Sequence, residues 1–171
     1  MTIATRLATT SDVQDIVDLM APYAGKDKPL SGNWTLQTVG DWVKTGSPVM
    51  LAIRQGRVVG VLFSAEKAEA QVPPVVAMLK VFPGNDDAYA YGPVCIDASM
   101  SGQGVLGILF DALDEVMLHR QGILFIKQSN GPSLGAHRKL KMQTVAHFEL
   151  GGEGYDVLTT DAARTRARTS S

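Results

Sequence analysis

Residues 92–107 read Gly-Pro-Val-Cys-Ile-Asp-Ala-Ser-Met-Ser-Gly-Gln-Gly-Val-Leu-Gly, and they limit the fold of this chain more tightly than any other stretch. An apolar strand enters a short polar turn, and a glycine-rich loop then opens a long amphipathic helix. The first amides of a helix have no partner inside it, and the aligned peptide dipoles add partial positive charge there. Glycine has no β-carbon, so main-chain donors at Gly102 and Gly104 can close on phosphate oxygens without steric cost. A phosphorylated ligand is therefore the first expectation.

The rest of the composition narrows the field. At 171 residues the chain suits one domain, read as 1–160, followed by a flexible tail, 161–171. A net charge of −1 and a charged fraction of 19% argue against a nucleic-acid surface, which carries a clustered basic excess. The one dense basic run, Arg164-Thr165-Arg166-Ala167-Arg168, has no apolar anchor beyond alanine and belongs to that tail. A single cysteine, Cys95, excludes an internal disulfide and a cysteine metal cluster, and His119, His137 and His147 lack metal-ligand spacing. No apolar run is long enough to span a membrane and the N-terminus lacks a signal-peptide pattern, so a cytoplasmic protein is expected.

Taken in order, Ile3 to Leu7 reads as a first strand, and Ser11-Asp12-Val13-Gln14 as a capping box. A helix with Val13, Ile16, Val17 and Met20 on one face follows and ends near Pro22; Gly25 to Gly32 reads as an exposed loop. Thr35 to Lys44 predicts a second helix with Leu36, Val39, Trp42 and Val43 inward. Val49 to Arg54 and Arg57 to Ala65 form a hairpin about Gln55-Gly56. Pro73-Pro74 favours a short helix over Val75 to Lys80 inside an insertion, 66–88, that is a candidate lid or acceptor-site wall. Ala88 to Ile96 is the strand entering the glycine-rich loop, and the helix beyond it runs from Gly104 to His119, with Val105, Leu109, Ala112, Leu113, Val116 and Met117 inward and Gly122 as its stop. Ile123 to Ile126 reads as a central strand, and Asn130 and Pro132 open a helix reaching Leu140. The last strands are His147 to Leu150 and Tyr155 to Leu158.

Gly102-Gln103-Gly104-Val105-Leu106-Gly107 also satisfies the G-x-G-x-x-G dinucleotide fingerprint. That fingerprint sits in the first strand-to-helix turn of a doubly wound domain, with a carboxylate about 20 residues on for the ribose. Here several strands precede the turn, and the next strand ends in Lys127 and Gln128. A nicotinamide or flavin enzyme is thus the weaker reading.

Two segments, in order and separated by a helix and a strand, resemble the GCN5-related N-acetyltransferase (GNAT) superfamily. Ser101-Gly102-Gln103-Gly104-Val105-Leu106 is similar to its acyl-CoA signature Q/R-x-x-G-x-G/A, with Ser101 and Leu106 as departures. Asn130-Gly131-Pro132-Ser133-Leu134-Gly135-Ala136-His137 begins a segment resembling N-x-x-(A/S)-x-x-x-Y-x-x-x-G-F, with His137 at the tyrosine and Lys141-Met142 at Gly-Phe. The resemblance implies an α/β (α+β) fold. Its mixed, mostly antiparallel sheet would hold about six to seven strands, be flanked by about four helices, and contain one splayed strand pair at the cofactor site.

By the same resemblance, acetyl-CoA or another acyl-CoA is the cofactor. Val94, Cys95 and Ile96 would offer it a backbone edge, and Ser101, Gly102, Gln103, Gly104, Val105, Leu106 and Gly107 would grip its diphosphate. Asn130, Ser133 and His137 would line the pantetheine arm, and His137 would protonate the leaving thiolate. The plain alternatives are helix capping for Asn130 and Ser133 and a surface histidine beside Arg138 and Lys139. Asp87 and Tyr91 are base candidates, set against a solvated carboxylate and a core ring; Asp86 and Tyr89 share that position. Cys95 could be an acylated nucleophile, but no adjacent base is visible, and direct transfer is favoured. The expected activity is transfer of an acetyl group to a primary amine, on a small molecule before a protein, with no metal, nucleic acid or membrane. A homodimer is compatible. The alternative is a catalytically weak acyl-CoA sensor or assembly module of the same fold.

Overall fold

The computed structural model describes residues 2–30 and 32–163, so the basic run from Arg164 lies outside the described residues. The strands are β1 (Ala4–Leu7), β2 (Met50–Arg54), β3 (Arg57–Glu66), β4 (Tyr89–Ile96), β5 (Gly122–Lys127), β6 (Gln143–Leu150) and β7 (Glu153–Thr159). The helices are α1 (Val13–Met20), α2 (Leu36–Lys44), α3 (Pro73–Val81), α4 (Val105–Val116) and α5 (Gly131–Lys139). Strand order is β1-β2-β3-β4-β5-β7-β6, with β4 and β5 parallel and the pairs β1–β2, β2–β3, β5–β7 and β6–β7 antiparallel. A mostly antiparallel sheet with flanking helices is the architecture the sequence predicts. No helix among the described residues is long and apolar enough to cross a membrane.

Two compact units share the chain, Met1–Ser64 with Gly92–Met117 and Ala65–Tyr91 with Leu118–Ser171, so β4 runs through both. In the first, residues of β3 alternate between two covered faces. Val61 and Phe63 join Ile16, Leu19 and Met20 of α1 and Val39 of α2 in a core that also holds Val49, Leu51 and Cys95. Gly60 lies on the other face, where a β-carbon would stand 3.1 Å from Leu109 and 3.2 Å from Val105 of α4, so a larger residue would push those side chains by a few tenths of an ångström. Trp42 meets Phe63 at a tilt of 56° with ring centroids 4.8 Å apart, and its indole N–H donates to the Ser64 carbonyl at 2.8 Å, satisfying the one polar atom the ring buries. Leu36, expected inward, is 51% exposed, because it opens α2 directly after the Thr35 cap.

The predicted capping box is displaced. Asp12 reaches back to the Thr9 amide at 2.8 Å and takes a two-pronged bond from Arg6, at 2.8 Å to each oxygen. A carboxylate with a cation beside it outcompetes the neutral Ser11–Gln14 pair for that role. Gln55 and Gly56 make the hairpin turn with φ of 51° and 75°, the mirror-image geometry that matches strand twist.

In the second unit α3 lies against β6 and β5. Met78 meets Ala88, Ile123, Phe148, Tyr155 and Val157 there. Phe148 and Tyr155 stack at 4.8 Å, and Phe125 meets both rings edge-on. The ends of the insertion are tied down. Arg120 donates to both Glu66 oxygens at 2.9 and 2.7 Å and to the Asp87 carbonyl at 2.7 Å, while Lys67 donates to the carbonyls of Pro83 and Asn85.

Gly122 is not the stop of α4, as the sequence suggested, but the first residue of β5. The helix ends at Val116, and Leu118 and His119 turn the chain with φ of 54° and 61°. Gly122 is needed for another reason: a β-carbon would stand 2.9 Å from both Thr160 and the Tyr89 hydroxyl. Val116, expected inward, is 42% exposed in this last turn. β6 begins at Gln143, earlier than the sequence pattern shows, because an irregularity between Thr144 and Ala146 breaks its two-residue period.

Candidate active site

The glycine-rich loop belongs to the first unit. After β4, Asp97 accepts from the Ser99 amide at 2.9 Å and caps a short 3-10 turn, Ala98–Met100, whose Met100 is buried. Gly102 and Gly104 then take φ of 76° and 74°, a region that costs other residues about 1–2 kcal/mol each. A β-carbon at either would meet nothing within 4 Å, so the space over both is open.

The first intrahelical bond of α4 runs from the Ile108 amide to the Gly104 carbonyl, so the amides of Val105, Leu106 and Gly107 have no partner within the helix. The cap residue is Gly104, which has no side chain to cap this end. The Val105 side chain, 2% exposed, packs inward, and only its main-chain N–H is available to a ligand. Ser101, Gly102, Gln103 and Gly104 are exposed. What the loop presents is a row of backbone donors at the positive end of a twelve-residue helix, suited to an anion.

In β4, Cys95 is buried and its thiol faces the Leu19 carbonyl at 3.9 Å. Burial, with a smaller push from the Asp97 charge, raises the thiol to about 12. It stays protonated at neutral pH, which removes the support for an acylated nucleophile. Val94 and Ile96 are half-buried, and Gly92, at φ 101°, breaks the regular strand before them. The parallel ladder consists of Tyr89↔Gly122 and Ala90↔Ile123, while β4 continues to Ile96 and β5 to Lys127. The parallel ladder thus covers two residue pairs near the start of both strands.

The second unit holds the side-chain chemistry. Asn130 caps α5, its side-chain oxygen accepting from the Ser133 amide at 3.3 Å, and Pro132 follows where a helix tolerates it. One turn on, His137 is buried rather than on the surface, at 2% exposed. Its Nδ1 lies 2.8 Å from the Ser133 carbonyl and 3.4 Å from the Ser133 hydroxyl, and its Nε2 lies 3.1 Å from the Tyr91 hydroxyl. The rings meet edge-on with centroids 5.6 Å apart. Burial lowers the imidazole from its ordinary value, partly opposed by the bond to Ser133. Burial, with the nearby Tyr89, raises the Tyr91 phenol well above its own. Both shifts favour the neutral form.

Of the three candidate catalytic residues, the structure thus joins Tyr91 to His137. Asp87 is exposed, and the bond it offers Arg120 is through its main-chain oxygen. Sequence reading missed the Ser133 carbonyl that orients the imidazole, and no sequence signal marks a main-chain acceptor. It also missed a cluster around Asp156, which is buried and accepts from Gln128 at 2.9 Å, His147 at 2.8 Å and Arg138 at 3.2 Å. Burial alone would raise that carboxyl, but the bonds from Gln128 and His147 and the Arg138 charge hold it below the usual carboxylate range.

No family model matches this sequence, and no curated protein matches it. Solved structures do. An N-acetyltransferase from Staphylococcus aureus Mu50 superposes with a TM-score of 0.71 at 15% identity, over 93% of this chain and 98% of that one. An acetyltransferase of the GNAT family from Streptococcus pneumoniae gives 0.67 at 14% identity, over 92% and 98%. A Salmonella typhimurium chain solved with its cofactor acetyl-CoA gives 0.68 at 14% identity, over 93% of each. The mostly antiparallel sheet is not the doubly wound parallel sheet in which the dinucleotide fingerprint works. By strand order, by the shortened parallel ladder and by these likenesses, this chain has the fold of the GCN5-related N-acetyltransferases.

Proposed function

We propose that the protein is an acyl-CoA-dependent N-acyltransferase that moves an acetyl group from acetyl-CoA to a primary amine by direct attack on the thioester. The observation that carries this reading is the loop at α4, where two left-handed glycines lie under open space and three amides have no partner within the helix. Main-chain N–H groups from Gly102 to Gly107 would hold the CoA diphosphate, with Ser101 and Gln103 beside them. Strand donors at Val94, Cys95 and Ile96 would take the pantetheine amides, and one aimed at the thioester oxygen would stabilise the charge that develops there. By the family resemblance, Asn130 and Ser133, at the start of α5, are further candidates for contact with the pantetheine arm. A protonated Cys95 agrees with direct transfer and no covalent enzyme intermediate. A small-molecule amine is the preferred acceptor class.

One observation favours the alternative, a sensor that binds acyl-CoA without efficient turnover. Both ring nitrogens of His137 are engaged, so the residue at the family's tyrosine position has no hydrogen to offer a thiolate directly. Calorimetry with acetyl-CoA and a thiol-release assay over a panel of primary amines separate the readings. The enzyme binds acetyl-CoA and releases thiol in an amine-dependent way; a sensor binds and releases none. Absence of binding removes both.

A further inference from the structure

An acyl-CoA brings several negative charges to the glycine-rich loop, and the loop and its helix answer with no cation. From Ser101 to Val116 the chain has no Lys, Arg or His, while Asp111, Asp114 and Glu115 add negative charge along α4. Ser101 itself stands where the resembling signature has arginine or glutamine. Main-chain N–H groups and the helix dipole would act alone there, and the dipole amounts to only about half an elementary charge.

The strands of the same unit bring a cation to this place. Ala52 meets Gly60 on the face that α4 covers, and Arg54, two residues further along β2, falls on that face by strand alternation. The end of β4 is tied to the same hairpin, the Asp97 amide donating to the Val59 carbonyl at 2.9 Å. Beyond it, Arg54 Nη1 lies 3.6 Å from the sulfur of Met100, the residue before Ser101. Met100 is buried, and its carbonyl accepts from the Gln103 amide at 3.2 Å. The first turn of the loop therefore closes on the residue that Arg54 touches.

A thioether is a weak acceptor, and it takes one of the several N–H groups of the guanidinium. Among the described residues Arg54 has no other hydrogen bond and no carboxylate partner. Arg57, opposite it in the hairpin, is placed differently, in a hollow shared with Asp15, Asp18 and Asp97. Asp97 is held below the usual carboxylate range by its hydrogen bonds from Ser99 and, to a smaller degree, by the Arg57 charge. One arginine is thus set among carboxylates, while the other is half-buried beside the loop with most of its donors unfilled.

From this placement we infer that Arg54 is a cofactor-binding residue, donating to a phosphate oxygen of the acyl-CoA held at the glycine-rich loop and supplying the charge that position 101 lacks. The inference rests on the cofactor reading that enzyme and sensor share, and it adds the source of the cation. A planar guanidinium matches phosphate geometry, and its contact with Met100 sets it in place before the ligand arrives.

Calorimetry with acetyl-CoA tests this without turnover. Arg54→Gln should weaken binding by about tenfold or more at about 50 mM salt, and the gap to the parent should narrow at about 500 mM, where an exposed charge contact is screened. Arg54→Met, which keeps the packing against Met100 and drops the charge, should match it, so either variant suffices if the other does not fold. The thermal midpoint without ligand should move little, while its rise on adding acetyl-CoA should shrink. Arg57→Gln should bind within about twofold of the parent, because its charge already faces Asp97. Repeating the titrations with an acetyl-CoA that lacks the 3′-phosphate assigns the oxygen: a deficit that persists belongs to the diphosphate, and one that vanishes belongs to the 3′-phosphate. Affinity of the Arg54 variants within about twofold of the parent overturns the inference and leaves the cofactor reading standing. A deficit that salt does not alter also overturns it, as does an equal deficit in Arg57→Gln, which would mark a diffuse field. A parent protein that binds no acetyl-CoA removes the cofactor reading itself.

Discussion

The glycine-rich loop and the Tyr91–His137 pair are opposite ways of building chemistry. The loop is exposed, local, and made of main-chain donors whose direction is set by two positive φ angles. The pair is buried and made of side chains 46 residues apart, with its protons assigned by a third group. An exposed backbone site is robust to most side-chain changes and fragile only where φ is positive. A buried side-chain site fails when one atom is lost, because its partner is left without a hydrogen bond and without water.

That contrast can be broken experimentally. The largest effect is expected from Gly102→Val with Gly104→Val, which forces β-branched residues into left-handed backbone and crowds the open face. Acetyl-CoA affinity should drop by about 100-fold or more by calorimetry, equivalent to about 2.8 kcal/mol, with the thermal midpoint less affected. Unchanged affinity would remove the loop as the anion site. Next in size, Tyr91→Phe should destabilise by about 1–3 kcal/mol, because His137 Nε2 is left buried and unpaired. Thermal unfolding should show this as a midpoint lower by about 2–12 °C. A midpoint unmoved within a degree would mean that solvent reaches the ring.

Acid sensitivity should come out smaller. The Arg6 hydrogen bonds hold the Asp12 carboxyl at about 2, below its ordinary 3.8, with burial opposing and the Thr9 amide assisting. A folded-state value below the unfolded one adds stability that is fully present above about pH 4 and is lost as pH falls through 2. Arg6→Ala should flatten that loss in denaturant titrations between those limits, and an unchanged acid profile would show that Asp12 needs no cation. The smallest effect is expected at Cys95. Incubation with acetyl-CoA should leave the intact mass unaltered, and an added acetyl group on Cys95 would contradict a thiol held protonated to about 12.

What the sequence revealed follows the same division. The Gln55-Gly56 hairpin, α3 after Pro73-Pro74, α5 after Asn130 and Pro132, and the loop glycines were all legible, because each rests on a neighbouring residue's φ, cap or missing N–H. Burial was less so. Leu36 and Val116 fit a helical stripe yet are exposed as the first residue of α2 and the last of α4. The end of α4 was misread because Leu118 and His119, neither of them a glycine, take the left-handed turn. The join between Tyr91 and His137 was out of reach, since it needs α5 packed against β4, which short-range periodicity does not encode. Nothing in either segment marks the Ser133 carbonyl as the group that sets the tautomer.

The bonds at the ends of the insertion carry a consequence for redesign. Arg120 clasps Glu66 and the Asp87 carbonyl, and Lys67 clasps the carbonyls of Pro83 and Asn85, so the chain between leaves and rejoins the fold through two fixed posts. Between those posts α3 carries the buried Met78, so a graft there would have to return an apolar side chain to the same core, while the exposed residues of the span are open to change.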